Sequence, residues 1–508
     1  MLTAAPLTIA DVDQVACRRR EVRLHPTVRE QLGRSRAALS RRLGAGEALY
    51  GINTGFGSLA RVRIEPDQLA DVQRNLIRSH AAGVGEPLPV EVVRAMMLIL
   101  AASLARGCSG VRPECVEKLI ELLNCGITPV VPSRGSVGAS GDLAPLAHVA
   151  LVMLGEGRAT YVGAGEPGRR ALLAAGIEPL VLEAKEGLAL INGTHLMTAM
   201  GALALRDLDR LVAAATVSTA MAIDACRATD AFLDPRLYAA RRQPGPILIA
   251  ERLRELLAGS TILTAHKEND PRVQDPYCLR AAPTVLGAAC DALDYVRGAI
   301  ERELGAVTDN PLVFVAGASE SEATCEVISG ANFHGMPIAI ALDVAKIAIV
   351  HIAGIAERRV NWLLTASDGE NPVHAYLSPQ PGLHSGLMIA QYSAAACCNE
   401  MQSLAHPASV HNITTSAGVE DYNSFGPTSG HHLRQSIELC RQVVAIELLT
   451  MTEAMEYQRP LRSGAGVEAA VAKVRERVTR LVADRPPAPD IAAIAGLIRD
   501  GAIGVGGG

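Results

Sequence analysis

The chain has 508 residues, a formal net charge of −5, 49% hydrophobic residues and only 3% aromatic residues. Neither sign of charge dominates, so we expect no nucleic-acid partner and no anionic membrane surface as a partner. With so few aromatics, alanine, leucine and valine must fill the core, which suits closely packed helices. The length allows about two to four ordinary domains, or fewer if long helices dominate.

The N-terminal segment has no basic stretch followed by an apolar one, so the sequence predicts no signal peptide. No uninterrupted apolar run reaches the ~18 residues of a spanning helix, and the closest candidate, 211–223, contains hydroxyl side chains. The eleven cysteines are scattered without a CxxC pair or a cluster with histidine. We therefore expect a cytoplasmic protein with reduced thiols and no metal site.

Residues 1–200 mix short helices with loops rich in glycine and proline, such as YGINTGFGS and VPSRGSVGASGD. After Leu190 the chain is alanine-rich and nearly free of helix breakers for roughly 35 residues. Further long helices are predicted over about 283–306, 336–366 and 428–458, with a shorter one over 386–405. Strand signals are few, the best being 61–64 and 159–162.

These patterns predict a mainly α protein. A loop-rich N-terminal domain over 1–200 would carry the chemistry, and a long central helical bundle with a C-terminal helical region would occupy 201–508. The long helices are apolar on more than one face, as in the centre of a bundle or an oligomer. A monomer would expose too much of this surface, so we expect an oligomer.

The loop Gly135–Asp142, GSVGASGD, precedes an apolar helical pattern. Ala139-Ser140-Gly141 has the composition needed for internal cyclisation, because nothing obstructs the approach of the Gly141 nitrogen to the Ala139 carbonyl. Ring closure would release one water, and loss of the Ser140 hydroxyl would release a second. The product is 4-methylidene-imidazol-5-one (MIO), an electrophile made without an external cofactor. The tripeptide alone also fits a helix-entry turn capped by Asp142, whereas the phosphate-loop pattern GxxxxGK[ST] is absent.

The longer string GSVGASGDLAPLAH resembles the signature of the aromatic amino acid ammonia-lyases, which act on histidine, phenylalanine or tyrosine. Further similar motifs follow in the family's order: YGINTGFG at 50–57, NLIRSHAAG at 75–83, EGLALINGT at 186–194, VQDPYCLR at 273–280, AVTDNPLVF at 306–314, SGANFHG at 329–335 and GLHSGLMIAQ at 382–391. The resemblance implies an aspartase/fumarase-like helical fold, a homotetramer, and an MIO-dependent carbon–nitrogen lyase acting on a small amino acid.

The resemblance also implies roles for individual residues. Tyr50 would be the base that removes the substrate's β-proton; a tyrosine acts as a base only as phenolate, so a nearby cation must lower its usual pKa of about 10. Arg280 could pair with a substrate carboxylate through two hydrogen bonds, and Asn192 would bind that carboxylate or the ring oxygen of the electrophile. Tyr277 and Gln274 would lie beside the electrophile. The alternatives are that Tyr50 is a packed loop aromatic, that Arg280 is a surface arginine and that Asn192 belongs to an Asn-Gly turn.

Three more residues would surround the substrate. Phe333 would line the site or pack in the core, and His80 and Glu420 would face the substrate's side chain. Glu420 favours histidine, since a carboxylate can pair with imidazole and relatives acting on phenylalanine or tyrosine usually have glutamine there. His80 is less decisive, because some tyrosine enzymes carry a pair like Ser79–His80.

Some positions depart from the histidine pattern. Val419 and His195 stand where histidine enzymes usually have glutamine, and 421–425 is more typical of aryl-alanine enzymes. The sequence therefore predicts conversion of L-histidine to trans-urocanate first, with L-tyrosine or L-phenylalanine ammonia-lyase, or a related 2,3-aminomutase, as alternatives. An inactive homologue acting as a helical scaffold, and an aspartase/fumarase-type lyase with a serine base, also remain open.

Overall fold

The computed structural model describes residues 1–45, 49, 51–54, 64–65, 68–268, 270–317, 319 and 321–504. The α-helices in these ranges are α1 (Ile9–Ala16), α2 (Pro26–Gly44), α3 (Leu69–His80), α4 (Val90–Ala105), α5 (Pro113–Cys125), α6 (Leu143–Met153), α7 (Gly168–Ala174), α8 (Glu186–Ile191), α9 (His195–Ala225), α10 (Pro235–Arg241), α11 (Pro244–Leu257), α12 (Thr261–Ala265), α13 (Tyr277–Arg280), α14 (Ala282–Leu304), α15 (Met336–Thr365), α16 (Met388–Leu404), α17 (Gly426–Met455), α18 (Ala465–Arg475) and α19 (Ala488–Arg499). The strands are β1 (Val84–Pro87), β2 (Thr128–Pro129), β3 (Pro132–Arg134), β4 (Arg158–Tyr161), β5 (Ala164–Pro167), β6 (Leu312–Ala316) and β7 (Thr324–Ile328).

The chain divides into two compact units. Unit one comprises Met1–Leu203, Arg297–Asp343 and Pro407–His431, and unit two comprises Ala204–Val296, Val344–His406 and His432–Gly508. The first segment of unit one ends close to the boundary expected at residue 200. The expected domain 201–508 differs from this division, because two later segments return to unit one. Hydrophobic periodicity identifies helices but carries no information about which unit they join.

Unit one is built around a buried helix and three small antiparallel sheets. Every residue of α4 from Val92 to Ala105 is buried. The strands pair as β1 with β3, as β2-β4-β5, and as the hairpin β6-β7. The strand expected at 159–162 is confirmed by β4, whereas 61–63 lies outside the described residues. The other strands were not predicted because they are short and several contain glycine or proline, which obscures any period-2 pattern.

Unit two is helical over the part that the structure describes. It contains α10–α13, α16, α18, α19 and the greater part of α9, α14, α15 and α17. The five helices predicted from breaker-free stretches are confirmed, with ends within about four residues of the expectation. The mainly α fold class predicted from the sequence is therefore confirmed.

The most apolar long helix of the described chain is α15, and not the 211–223 segment expected from the sequence. By length and composition α15 could cross a membrane, with a mean hydropathy of 2.1 over its best 18-residue window. However, 67% of that window is buried within the protein. Core helices of globular proteins have this combination of an apolar sequence and burial, so α15 by itself is weak evidence for a membrane span.

A side chain from a distant loop caps the first turn of α9. Asp142 stands directly before α6 but makes no side-chain cap there. Its carboxylate instead accepts hydrogen bonds from the backbone N–H groups of Leu196 (2.8 Å) and Met197 (3.1 Å), and from the Ser136 hydroxyl (2.9 Å). Burial raises the pKa of Asp142 to about 7, although these three hydrogen bonds favour the ionised form. The start of the longest helix is thus fixed by a buried carboxyl group.

This shifted pKa predicts a pH dependence of stability. The folded protein keeps the Asp142 proton up to a pH of about 7, whereas an unfolded chain releases it near its usual pKa of about 4. Between these values the folded state binds more protons, so the free energy of unfolding contributed by this group falls as pH rises. Asp142→Asn cannot ionise. The urea midpoint of the wild type should therefore fall relative to that of the variant as the pH is raised from about 5 to about 8. Midpoints of the two proteins that change in parallel with pH would contradict the assignment.

Candidate active site

Two distant segments of unit one hold the Gly135–Asp142 loop in place. The carbonyl oxygen of Gly138 accepts hydrogen bonds from the Ser424 hydroxyl (3.0 Å) and the Gly335 N–H (3.4 Å). The Phe425 N–H donates to the carbonyl of Val137 (2.9 Å). Backbone carbonyls that would otherwise be buried without partners are satisfied in this way, so the loop has a defined shape.

A second glycine-containing loop packs directly on this one. The N–H of Asp142 donates to the Gly193 carbonyl (2.7 Å), and the Gly193 N–H donates to the Ser140 carbonyl (3.4 Å). Gly141 has φ +72°, and a Cβ there would overlap the Gly193 carbonyl group. Only glycine fits such a position. Ala139 and Gly141 are both buried and Ser140 is partly buried, so the tripeptide lies in a tight turn that is largely shielded from water.

Glu420 lies beside Ser140 although 280 positions separate the two in the sequence. The Ser140 hydroxyl donates a hydrogen bond to Glu420 Oε1 at 3.3 Å, and the Thr415 hydroxyl donates to Glu420 Oε2 at 3.1 Å. The structure therefore brings together a residue predicted to form the electrophile and one predicted to face the substrate's side chain. A group bound at Ser140 would be within reach of a carboxylate.

His80 is the last residue of α3, and its ring is held by its own helix. Nδ1 contacts the Leu76 carbonyl at 2.9 Å; because a carbonyl only accepts, this contact requires the proton on Nδ1 and leaves Nε2 as an acceptor. Burial lowers the pKa of His80, against the opposing effects of the Leu76 carbonyl and the negative charge of Glu420. The following turn is tied to α6, since the Gly83 N–H donates to His148 Nε2 at 3.2 Å.

Asn192 follows α8 and is almost completely buried. Its Nδ2 donates weakly to the Asn310 carbonyl (3.4 Å), and its Oδ1 has no partner among the residues that the structure describes. The amide thus has unused hydrogen-bonding capacity, which is costly in a buried position unless a ligand uses it. The buried ion pair Lys185–Asp309 (2.6 Å) joins the start of α8 to the turn that contains Asn310.

His195, one of the departures from the histidine pattern, is the first residue of α9 and is buried. Burial, helped by the positive charge of Arg106, lowers the pKa of His195 to about 3, so the ring is neutral at pH 7. Neither ring nitrogen has a partner in the described ranges. The preceding Thr194 donates through its hydroxyl to Glu303 Oε1 (2.5 Å). The hydrogen bond from Thr194 to Glu303 fixes the backbone beside Gly193. The ring of His195 itself is buried.

The remaining predicted residues fall into three groups. Phe333 is partly buried and lies two residues before Gly335, which binds the loop. Gln274, Tyr277 and Arg280 belong to unit two, where Gln274 and Tyr277 are exposed. Tyr50 lies outside the described residues.

Several contacts were missed by sequence reasoning. Ser424, Asn310 and Ser136 hold the loops, yet nothing in their spacing indicated this. The available signals were that Asn310 occurs in AVTDNPLVF and Ser136 in GSVGASGDLAPLAH, both matched as part of the family resemblance, and that Ser424 falls within 421–425, but none of the three was assigned a role.

Comparison with known proteins identifies the group to which the chain is similar. A model of the aromatic amino acid lyases matches residues 7–476. A histidine ammonia-lyase of Anaeromyxobacter dehalogenans is 48% identical over 511 residues, covering 99% of each chain. The crystal structure of histidine ammonia-lyase from Trypanosoma cruzi has a TM-score of 0.90 at 36% identity, over 99% of this chain and 93% of that one. Tyrosine aminomutase from Streptomyces globisporus has a TM-score of 0.91 at 34% identity, over 99% and 97%.

The family model and the relatives span nearly the whole chain, and the resemblance predicted from the motifs is confirmed. With the loop, its glycine contacts and the neighbouring Glu420 in place, this chain belongs to the aromatic amino acid lyase family.

Proposed function

We propose that this chain is an MIO-dependent ammonia-lyase that converts L-histidine to trans-urocanate and ammonia. The observation that carries the proposal is the hydrogen bond between Ser140 and Glu420, which sets a carboxylate beside the residue that would become the electrophile. The 48% identity to a histidine ammonia-lyase over the whole chain supports the choice of substrate. L-tyrosine or L-phenylalanine elimination, or a 2,3-aminomutase reaction, is the second candidate, favoured by Val419, residues 421–425 and the likeness to a tyrosine aminomutase.

The loop fits the proposed prosthetic group. Gly141 has the positive φ and the close backbone neighbour that exclude any side chain, and the Gly138 carbonyl is anchored on both sides by hydrogen bonds. Ala139, Ser140 and Gly141 would hold MIO as part of the backbone, so no external cofactor is needed. When formed, MIO would supply an electrophile that helps the substrate's amino group to leave.

The other roles belong to side chains of this chain. Tyr50 would take the β-proton, which is barely acidic. Arg280 would bind the carboxylate with two parallel N–H groups, helped by the unused capacity of the Asn192 amide. Tyr277 and Gln274 would support the electrophile. Fixing the substrate at its carboxylate aligns the reacting atoms before the proton is transferred.

Glu420 and His80 support an imidazole as the side chain. The carboxylate of Glu420 and Nε2 of neutral His80 are both acceptors, so the group they face should bring hydrogen-bond donors. Imidazole and imidazolium carry N–H donors and the phenol of tyrosine carries one O–H donor, whereas a phenyl ring carries none. A phenyl ring would also leave the carboxylate desolvated without a partner, which is costly.

Ser140→Ala should fold but lose nearly all activity, because no methylidene can form without the hydroxyl. The intact mass of the wild type should be two waters below the mass of the sequence, and the variant should not show this deficit. Ser40→Ala, at an exposed position of α2, is the matched control and should keep both the deficit and the activity. A wild-type protein of unmodified mass with full activity would contradict the mechanism.

Glu420→Gln should change substrate preference. Loss of a charged acceptor should lower kcat/KM for histidine about 10- to 100-fold, while turnover of phenylalanine or tyrosine should fall much less. The measurement is kcat/KM for all three amino acids with both proteins. If the wild type prefers tyrosine, the substrate is an aryl-alanine instead. If the ratio of histidine to phenylalanine is unchanged in the variant, Glu420 does not select the side chain and the argument for histidine from this residue fails.

We also propose a homotetramer. Large apolar side chains are exposed on both units of the single chain, among them Val273, Tyr277, Leu383, Ile389, Tyr392, Val410, Ile413, Val419 and Tyr422. Surface of this kind needs covering. Light scattering should give about four times the 53.3 kDa of one chain; a fully active monomer would contradict this.

A further inference from the structure

In unit two, the guanidinium of Arg280 is held on one edge and open on the other. Its Nε donates to the Asp275 carbonyl (3.0 Å), and its Cζ lies over the Tyr277 ring, 4.6 Å from the ring centroid. Its two terminal nitrogens make no hydrogen bond to any residue that the structure describes. The open edge therefore presents two parallel donors, the arrangement that suits a carboxylate.

Asp275 is itself anchored to the turn that follows α9. It is buried, and its Oδ2 accepts hydrogen bonds from the Thr229 hydroxyl (2.7 Å) and the Thr229 N–H (3.0 Å). Two donors on one carboxylate oxygen fix the backbone of Asp275, and with it the carbonyl that Arg280 uses. The position of the arginine thus depends on a residue that is five positions away and on a turn in another part of unit two.

A second anchor holds α13 from the inside. Arg359 and Glu447 are both fully buried and form a two-pronged ion pair, Arg359 Nη2 donating to Glu447 Oε2 at 3.0 Å and Arg359 Nε donating to Oε1. Arg359 Nη1 donates to the Cys278 carbonyl at 3.3 Å, and the Ser218 hydroxyl donates to Glu447 Oε2 at 2.6 Å. A helix of only four residues cannot satisfy its own carbonyls, so a charged donor from α15 does so.

The energetics favour a positional role over a stabilising one. Desolvation of a buried ion pair generally offsets its Coulomb attraction, and apolar residues of similar volume would stabilise the fold as well or better. What the pair provides is a fixed carbonyl within the segment that carries Arg280. The same applies to Asp275, whose burial would be unfavourable without Thr229.

We propose that Thr229, Asp275 and the Arg359–Glu447 pair are positioning residues that aim the open edge of Arg280 at the carboxylate of the amino acid substrate. The inference rests on the proposed function in one respect: it takes Arg280 as the carboxylate ligand. None of the four residues needs to touch the substrate, so their removal should weaken recognition of the carboxylate specifically.

The test compares two competitive inhibitors that differ in the carboxylate. Imidazolepropionate keeps the carboxylate and lacks the amine, whereas histamine keeps the amine and lacks the carboxylate. Thr229→Val removes only the hydroxyl donor. It should raise Ki for imidazolepropionate about 5- to 10-fold, as expected for one lost hydrogen bond, and leave Ki for histamine within about twofold. Thr229→Ser restores a hydroxyl and should rescue the effect.

The controls separate position from general stability. Thr264→Val removes a hydroxyl in unit two whose one hydrogen-bond partner among the described residues is the Ser260 carbonyl (3.0 Å), and it should change neither Ki. Glu447→Gln and Arg359→Lys should also raise Ki for imidazolepropionate more than Ki for histamine, provided that thermal unfolding shows that the variants fold. If they do not fold, Thr229→Val alone tests the proposal.

The outcomes distinguish this inference from the proposed function. Equal weakening of both inhibitors by Thr229→Val, or no weakening of either, would overturn the positioning role and leave the lyase assignment intact. If Arg280→Lys itself fails to change the ratio of the two Ki values, Arg280 is not the carboxylate ligand, and both that role and this inference fail. If the wild type acts on tyrosine, 3-(4-hydroxyphenyl)propionate and tyramine replace the imidazole pair, and the same selectivity is expected.

Discussion

The close approach of the Gly141 and Gly193 backbones is the constraint on which the arrangement of unit one depends. A side chain at Gly141 would overlap the Gly193 carbonyl, so the two loops approach this closely only because residue 141 is glycine. The contact brings together the ends and beginnings of helices: α6 starts after Asp142, α8 ends before Asn192, and α9 starts at His195. The loop geometry is therefore tied to the packing of the surrounding helices.

Buried ionisable groups surround this contact, and the shifts in their pKa values show that their charged forms are unfavourable there. Burial raises the pKa values of Asp142 and Glu303 and lowers that of Lys185, which is partly compensated by its ion pair with Asp309. Such groups add little to stability on their own. Places where a fold accepts local cost are commonly functional sites. Here such groups lie around the loops that hold Ser140 and Asn192, and the buried Arg359–Glu447 pair is a further example in unit two.

Much of the fold could be predicted from local patterns, and the site could be predicted only through resemblance. The long helices followed from alanine-rich stretches without glycine or proline, because helix formation is decided within a few turns. The contact between Ser140 and Glu420 joins residues 280 positions apart, and no spacing rule reaches that far. The Asp142 side chain illustrates the same limit: a cap for α6 was a sound local interpretation, but tertiary packing directs the carboxylate to α9. Likewise, the return of Arg297–Asp343 and Pro407–His431 to unit one depends on packing that periodicity does not describe.

The contact between Ser140 and Glu420 also connects maturation of the proposed prosthetic group with substrate binding. Before cyclisation the Ser140 hydroxyl occupies Glu420 Oε1, while Thr415 occupies Oε2. Under the proposed maturation Ser140 loses this hydroxyl as water, so Oε1 loses its donor and one acceptor of a partly buried carboxylate becomes unsatisfied. An unsatisfied charged acceptor is costly in such a position, and a substrate N–H would remove that cost. Glu420, which contacts the precursor loop through Ser140, would thus become the group that selects the side chain of the substrate once Ser140 has lost its hydroxyl as water.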